Sequence, residues 1–136
     1  MLFSFYGDTK NDELGFNVGP TGDVNNDGFL DLILGAPLSD NTGINSGSAR
    51  VVSGRDGSLL YSYSGDAAND WFGWAVTGGG DLNRDGHSDF IIGALFADPN
   101  GPDSGSAYVY SGIDGTLLHR LDGKRGGDWF GQSVAM

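Results

Sequence analysis

Two short runs of oxygen-bearing side chains have the spacing of a hard-cation loop. In the first, Asp23, Asn25 and Asp27 alternate, Gly28 follows, and Asp31 closes the run; in the second, Asp81, Asn83 and Asp85 precede Gly86 and Asp89. Calcium takes about 6 to 8 oxygens at roughly 2.3–2.6 Å, and alternate residues of a tightly curled loop can point at one centre. Positions 1, 3, 5 and 9 would offer side-chain oxygens, and position 7, Phe29 or His87, its main-chain carbonyl. Glycine at position 6 suits the sharp turn such a loop needs. The expected metal ligands are therefore Asp23, Asn25, Asp27, Phe29 and Asp31 at one Ca2+ site, and Asp81, Asn83, Asp85, His87 and Asp89 at the other. The chain has no cysteine and only two histidines, so the soft donors that select zinc or copper are missing.

A helix–loop–helix calcium motif shares the first half of this pattern but closes on an acid at position 12. Here that position is Leu34 or Ile92, within an apolar strand-like run. The acids of an empty loop repel one another, and two bound Ca2+ would take the formal charge from -11 to -7. The expected role is to rigidify the loop.

The elements that carry these loops repeat. Residues 7–64 align without a gap on residues 65–122, at a shift of 58, with 28 identical pairs. GDVNNDGFLDLILGA recurs as GDLNRDGHSDFIIGA, and SGSARVVSGRDGSLL as SGSAYVYSGIDGTLL. Each period reads as four short strands, in the first copy about Leu14–Gly22, Leu30–Gly35, Ser48–Ser53 and Ser58–Ser64. The Asp-Gly pairs Asp56-Gly57 and Asp114-Gly115 join the third and fourth strands as tight hairpins. Four antiparallel strands per period of this length make a propeller blade, so the expected fold class is all-β, a partial β-propeller. Residues 1–8 would be the outer strand of a preceding blade, 9–66 blade 1, 67–124 blade 2, and 125–136 the inner strand of a following blade. At the same shift a third loop would begin three residues beyond Met136. The chain thus reads as part of a longer array completed by further blades, or as a unit that self-associates.

With Phe72-Gly73 and Gly93-Ala94 in the second copy, Leu14-Gly15 and Gly35-Ala36-Pro37 in the first, and Phe130-Gly131 near the end, the sequence resembles the FG-GAP repeat family. That family includes the propeller of integrin α subunits and repeats of many bacterial surface proteins. Leu14 stands where it has an aromatic and Leu95 where it has proline. The resemblance implies a propeller, usually of seven blades, with calcium between the first two strands of some of them. It also implies an extracellular or cell-surface setting and an adhesion or ligand-recognition role with a protein or glycan partner.

Composition agrees. Of 18 acidic residues only Glu13 is a glutamate, and aspartate favours turns and hard-cation sites. Seven basic residues leave no face for a nucleic acid, and no apolar run can insert in a membrane. Trp71, Phe72, Trp74, Trp129 and Phe130 are expected to fill the space between blades, and sugar stacking is the competing use. His87 and His119 accompany no recognisable nucleophile. Asp40, Asp98 and Asp103 fall between the second and third strands, where a ligand could reach them. The chain reads as non-enzymatic. The alternative is the accessory propeller of a secreted polysaccharide-active or phospholipase-type enzyme whose catalytic residues are elsewhere.

Overall fold

The computed structural model describes residues 2–136 and contains eight strands in two four-stranded antiparallel sheets. The first sheet is β1 (Asn17–Gly22), β2 (Asp31–Ala36), β3 (Ser48–Val52) and β4 (Leu59–Ser64), in that spatial order. The second is β5 (Phe72–Gly80), β6 (Asp89–Ala94), β7 (Ser106–Tyr110) and β8 (Leu117–Asp122). Each sheet is a meander of hairpins, as the four-strand reading of the repeat predicts.

β5 begins at Phe72, the repeat counterpart of Leu14, whereas β1 begins only at Asn17. The cause is the neighbour. Phe72 donates its N–H to Ser46 O at 3.1 Å and bridges Gly47 in parallel, so blade 1 lies alongside the start of β5. The backbone is the same in both copies, left-handed at Glu13 (φ 57°) and Gly15 (φ 90°) and at Trp71 (φ 54°) and Gly73 (φ 91°), so the neighbouring blade makes the difference.

The sheets stack with β1 over β5. Ile33, Ala49 and Val51 from blade 1 meet Phe72, Val76, Phe90, Ile92 and Tyr108 from blade 2 in one buried cluster, with Val24 of the first loop at its edge. Period-2 alternation explains the choice: Ile33 and Val51 lie opposite one another across β2 and β3. From β4, the Tyr61 and Tyr63 rings pack on Phe90. Their hydroxyls donate to Gly112 O and Gly115 O, each at 2.7 Å.

The backbones approach closest where the repeat signatures meet. A Cβ on Gly35 would lie 2.0 Å from Gly73 O, and one on Gly93 the same distance from Gly131 O. The Phe-Gly of one repeat is therefore seated on the Gly-Ala of the repeat before it, and only glycine allows the fit.

The terminal segments follow this pattern without forming ladders. Residues 2–8 carry no strand, yet Phe3 lies against Gly57 as Tyr61 lies against Gly115, and Arg50 binds both Tyr6 O and the Asp8 carboxylate. Residues 125–136 touch the second sheet through the Gly105–Phe130 bridge. No strand is assigned to residues 2–8 or 125–136, where the sequence reading expected one at each end, although both segments lie against the sheets. Met1 lies outside the described residues.

Candidate metal loops

The two loops join β1 to β2 and β5 to β6, and they have the same hydrogen bonds position by position. In loop 1, Asp23 accepts the Asp27 N–H at 3.0 Å on Oδ1 and the Gly28 N–H at 2.8 Å on Oδ2. Asn25 Oδ1 accepts the Asp27 N–H at 3.2 Å, and Asn25 Nδ2 donates to Asp27 Oδ2 at 3.1 Å. Asp27 Oδ1 accepts the Phe29 N–H at 3.0 Å. In loop 2, Asp81 takes the N–H groups of Asp85 and Gly86 at 3.0 and 2.9 Å. Asn83 bonds to Asp85 at N–H and carboxylate, and Asp85 accepts the His87 N–H at 2.9 Å.

The backbone explains why position 6 must be glycine. Gly28 and Gly86 sit at φ 89° and 88°, with open space around them, so conformation and not crowding excludes a side chain. Position 4 is also left-handed, at Asn26 (φ 56°) and Arg84 (φ 60°).

Asp31 and Asp89 lie at the base of their loops, both fully buried. Asp31 accepts the Val24 N–H at 2.9 Å and the Gly54 N–H at 3.0 Å, tying the loop to the β3–β4 turn. Asp89 does the same with Leu82 at 2.7 Å and Gly112 at 3.1 Å. Burial pushes the Asp31 carboxyl above the usual range; the two N–H donors oppose that shift, and the charges on Asp27 and Asp23 add to it. At Asp85 the His87 N–H leads a set of contacts that holds the carboxyl below the usual range.

Each loop thus gathers its first, third and fifth residues, with the ninth underneath. Phe29 is half exposed, with the Arg55 guanidinium 5.9 Å from its ring centre. Among the described residues no three acidic or imidazole side chains converge closely enough to form a metal-holding group. The donor chemistry nevertheless fits a hard cation. Every candidate ligand atom is oxygen, and an ionised carboxylate has about four acceptor sites, so two N–H bonds do not exhaust it.

Other residues fall into place around the loops. Asp40 Oδ1 accepts the Asn45 N–H and Asp98 Oδ1 the Asp103 N–H, at 2.8 and 2.7 Å, so both organise turns. His119 is exposed on β8. The expectation that the aromatics fill the space between blades holds fully only for Phe72, which is buried. Trp71 and Trp74 are half-buried, and Trp129 and Phe130 are 44% and 40% exposed. A row forms instead, with ring centres of Phe16–Trp74 at 4.7 Å, Trp74–Trp71 at 5.5 Å, Trp71–Phe96 at 4.9 Å and Phe96–Trp129 at 6.2 Å. Trp71 and Trp129 occupy the left-handed region, unusual for so bulky a residue.

Two features escaped the reading of the sequence. Asp12, Asp70 and Asp128, spaced by the repeat, each accept the N–H three residues earlier, at Thr9, Ala67 and Arg125. Their spacing was the available signal. The second is the His87 ring, whose Nδ1 lies 2.8 Å from Val24 O and whose Nε2 lies 3.2 Å from Asn26 Nδ2 in the other loop. No local pattern announces a contact across 63 residues.

Stacked four-stranded blades, each opened by an aspartate-rich loop, define a class of propeller-repeat proteins. Comparison with known sequences makes that class specific. The FG-GAP repeat model matches residues 15–52 and 72–110. Integrin alpha-8 of Gallus gallus is 31% identical over 143 aligned residues, covering 98% of this chain and 13% of the relative. Integrin alpha-5 of Xenopus laevis is 32% identical over 122, covering 84% and 11%. Integrin alpha-E of Mus musculus is 34% identical over 94, covering 62% and 8%. The chain belongs to the FG-GAP repeat family, and it spans about an eighth or less of the length of these relatives.

Proposed function

We propose that this chain is a calcium-stabilised, non-catalytic propeller segment that serves ligand recognition or adhesion in an extracellular protein. The observation that carries the calcium reading is the identity of the two loops. Position by position they hold the same oxygens with the same N–H groups, although the residues at positions 2, 4, 7 and 8 differ between them. A plain turn would not need oxygen-bearing side chains at the first, third, fifth and ninth positions of both copies. Asp23, Asn25, Asp27, Asp31 and the Phe29 carbonyl would hold one Ca2+, and Asp81, Asn83, Asp85, Asp89 and the His87 carbonyl the other. The ions would supply charge neutralisation that the loops' own N–H groups give only in part.

Kinship with integrin α subunits supports the extracellular and adhesive part of the reading. The half-exposed aromatic row supports recognition of a protein or glycan, since large rings at a surface give contact area at low entropic cost. The test is thermal unfolding with 1 mM Ca2+ against excess EGTA. Calcium is expected to raise Tm by more than about 5 °C, the shift that roughly 1–2 kcal/mol produces in a domain of this size. Coincident curves would refute the calcium role.

A further inference from the structure

Outside its main-chain carbonyl, His87 has a second relation to the calcium loops. Its ring leaves loop 2 and lies across loop 1, facing Val24 O at 2.8 Å and Asn26 Nδ2 at 3.2 Å. A carbonyl only accepts, so Nδ1 must carry the proton, and the neutral ring then offers Nε2 as acceptor to the Asn26 amide. Both nitrogens are satisfied by one loop, in one tautomer.

The two contacts flank Asn25, the third-position ligand. Val24, at position 2, is 1% exposed, and its N–H is the one Asp31 accepts at 2.9 Å. Asn26, at position 4, is the left-handed residue that lets Asn25 and Asp27 face the same way. The ring therefore grips the two residues that set loop 1's curl. Its own backbone is held by the Asp85 carboxylate, a candidate ligand of loop 2. Loop 1 cannot return the contact, because its seventh residue is Phe29, which lies beside Arg55. The adjoining backbones are close as well: a Cβ on Gly22 would meet the Ser88 side chain at 2.3 Å.

We infer that His87 is a positioning residue that couples the two loops, so that a cation in loop 2 strengthens cation binding in loop 1. The inference rests on the calcium reading above. Fixing the His87 carbonyl on a cation fixes the start of its side chain, and the ring then holds Val24 and Asn26 in the conformation loop 1 needs. Linkage requires the same factor in the opposite direction.

The experiment is a Ca2+ titration of the full chain, followed by calorimetry and by the amide resonances of Gly28 and Gly86, which report the loops separately. Loop 1 affinity is measured with loop 2 intact and with loop 2 disabled by Asp81→Asn with Asp85→Asn. In the wild-type background, disabling loop 2 is expected to weaken loop 1 by about 5-fold or more, the lower end of usual site-to-site coupling. With His87→Phe, the residue type found at this position in loop 1, the difference should vanish; His87→Gln, which keeps a donor and an acceptor, should restore part of it. Equal loop 1 affinities in the wild-type background would overturn the coupling while leaving calcium binding in place. No Ca2+ binding at either loop would overturn both readings. Nitrogen chemical shifts of the His87 ring add a metal-free check at neutral pH, where the Nδ1–H tautomer is expected and the Nε2–H tautomer would also refute the contact.

Discussion

Asp23 and Asp31 have different tasks in the same loop, and mutation can separate them. Asp31 is buried and satisfies two N–H groups, that of buried Val24 and that of half-buried Gly54, so Asp31→Ala should cost about 2–3 kcal/mol even in EGTA. Asp23→Ala, at the rim, should cost far less in EGTA and instead abolish the stabilisation calcium provides at that loop; urea unfolding with and without calcium reads both. Asp70 gives a pH signature of its own. Burial raises its carboxyl above the ordinary 3.8, the Ala67 N–H opposes this, and the charges of Asp66 and Asp98 add to the rise. The folded state therefore holds that proton more tightly than the unfolded one. The resulting stability is complete below about pH 3.8 and is lost as pH rises through the higher folded value. In EGTA, Asp70→Asn should flatten the part of the fall in Tm that sets in as pH rises above about 3.8. An unchanged slope would show that Asp70 does not set it.

At the scale of elements, the hairpin order of each blade was legible because its signals are local: alternating apolar residues, Asp-Gly turns, and a repeat that shows each signal twice. The strand starts were less legible, since the three-residue difference between β1 and β5 depends on whether Ser46 and Gly47 of a preceding blade lie alongside. Likewise Trp71 and Trp129 carry the composition of core residues, yet a left-handed backbone turns them toward the surface row. The loop residues Asp23, Asn25 and Asp27 were found by spacing; the His87 ring was not, because its partners are remote in sequence. Seating between blades can be tested at the glycines. Gly35→Ala drives a methyl into Gly73 O, which β5 holds in place on both sides, and should cost about 1–3 kcal/mol or more. Gly93→Ala meets Gly131 O in a segment bonded through Trp129 and Phe130 to Asp103 and Ser104 but forming no ladder of its own, so its cost should be smaller in denaturant titration.

Across the whole molecule, the blades share one apolar cluster and several cross-sheet bonds, so neither should melt alone. The tryptophans provide a convenient test. Trp71, Trp74 and Trp129 all lie in or after the second repeat, whereas far-ultraviolet circular dichroism reports both sheets. Fluorescence and dichroism transitions in urea should coincide; separate midpoints would show that the blades unfold independently. The Tyr63 hydroxyl sits in this shared interface, where burial and neighbouring tyrosines raise its pKa, and burial pushes Tyr110 up to about 12. Both should therefore resist ionisation well above the pH at which an exposed phenol titrates.

The seating of Gly73 on Gly35, and of Gly131 on Gly93, has a direction. Each repeat presents a socket to its successor and a plug to its predecessor, so the contact has polarity, and a repeat reversed in order could not make it. Gene duplication in whole units of 58 residues preserves every such joint. The glycine pair thereby works as a directional coupling, and the array can grow by adding an entire blade at either end of the row without remaking any joint already formed.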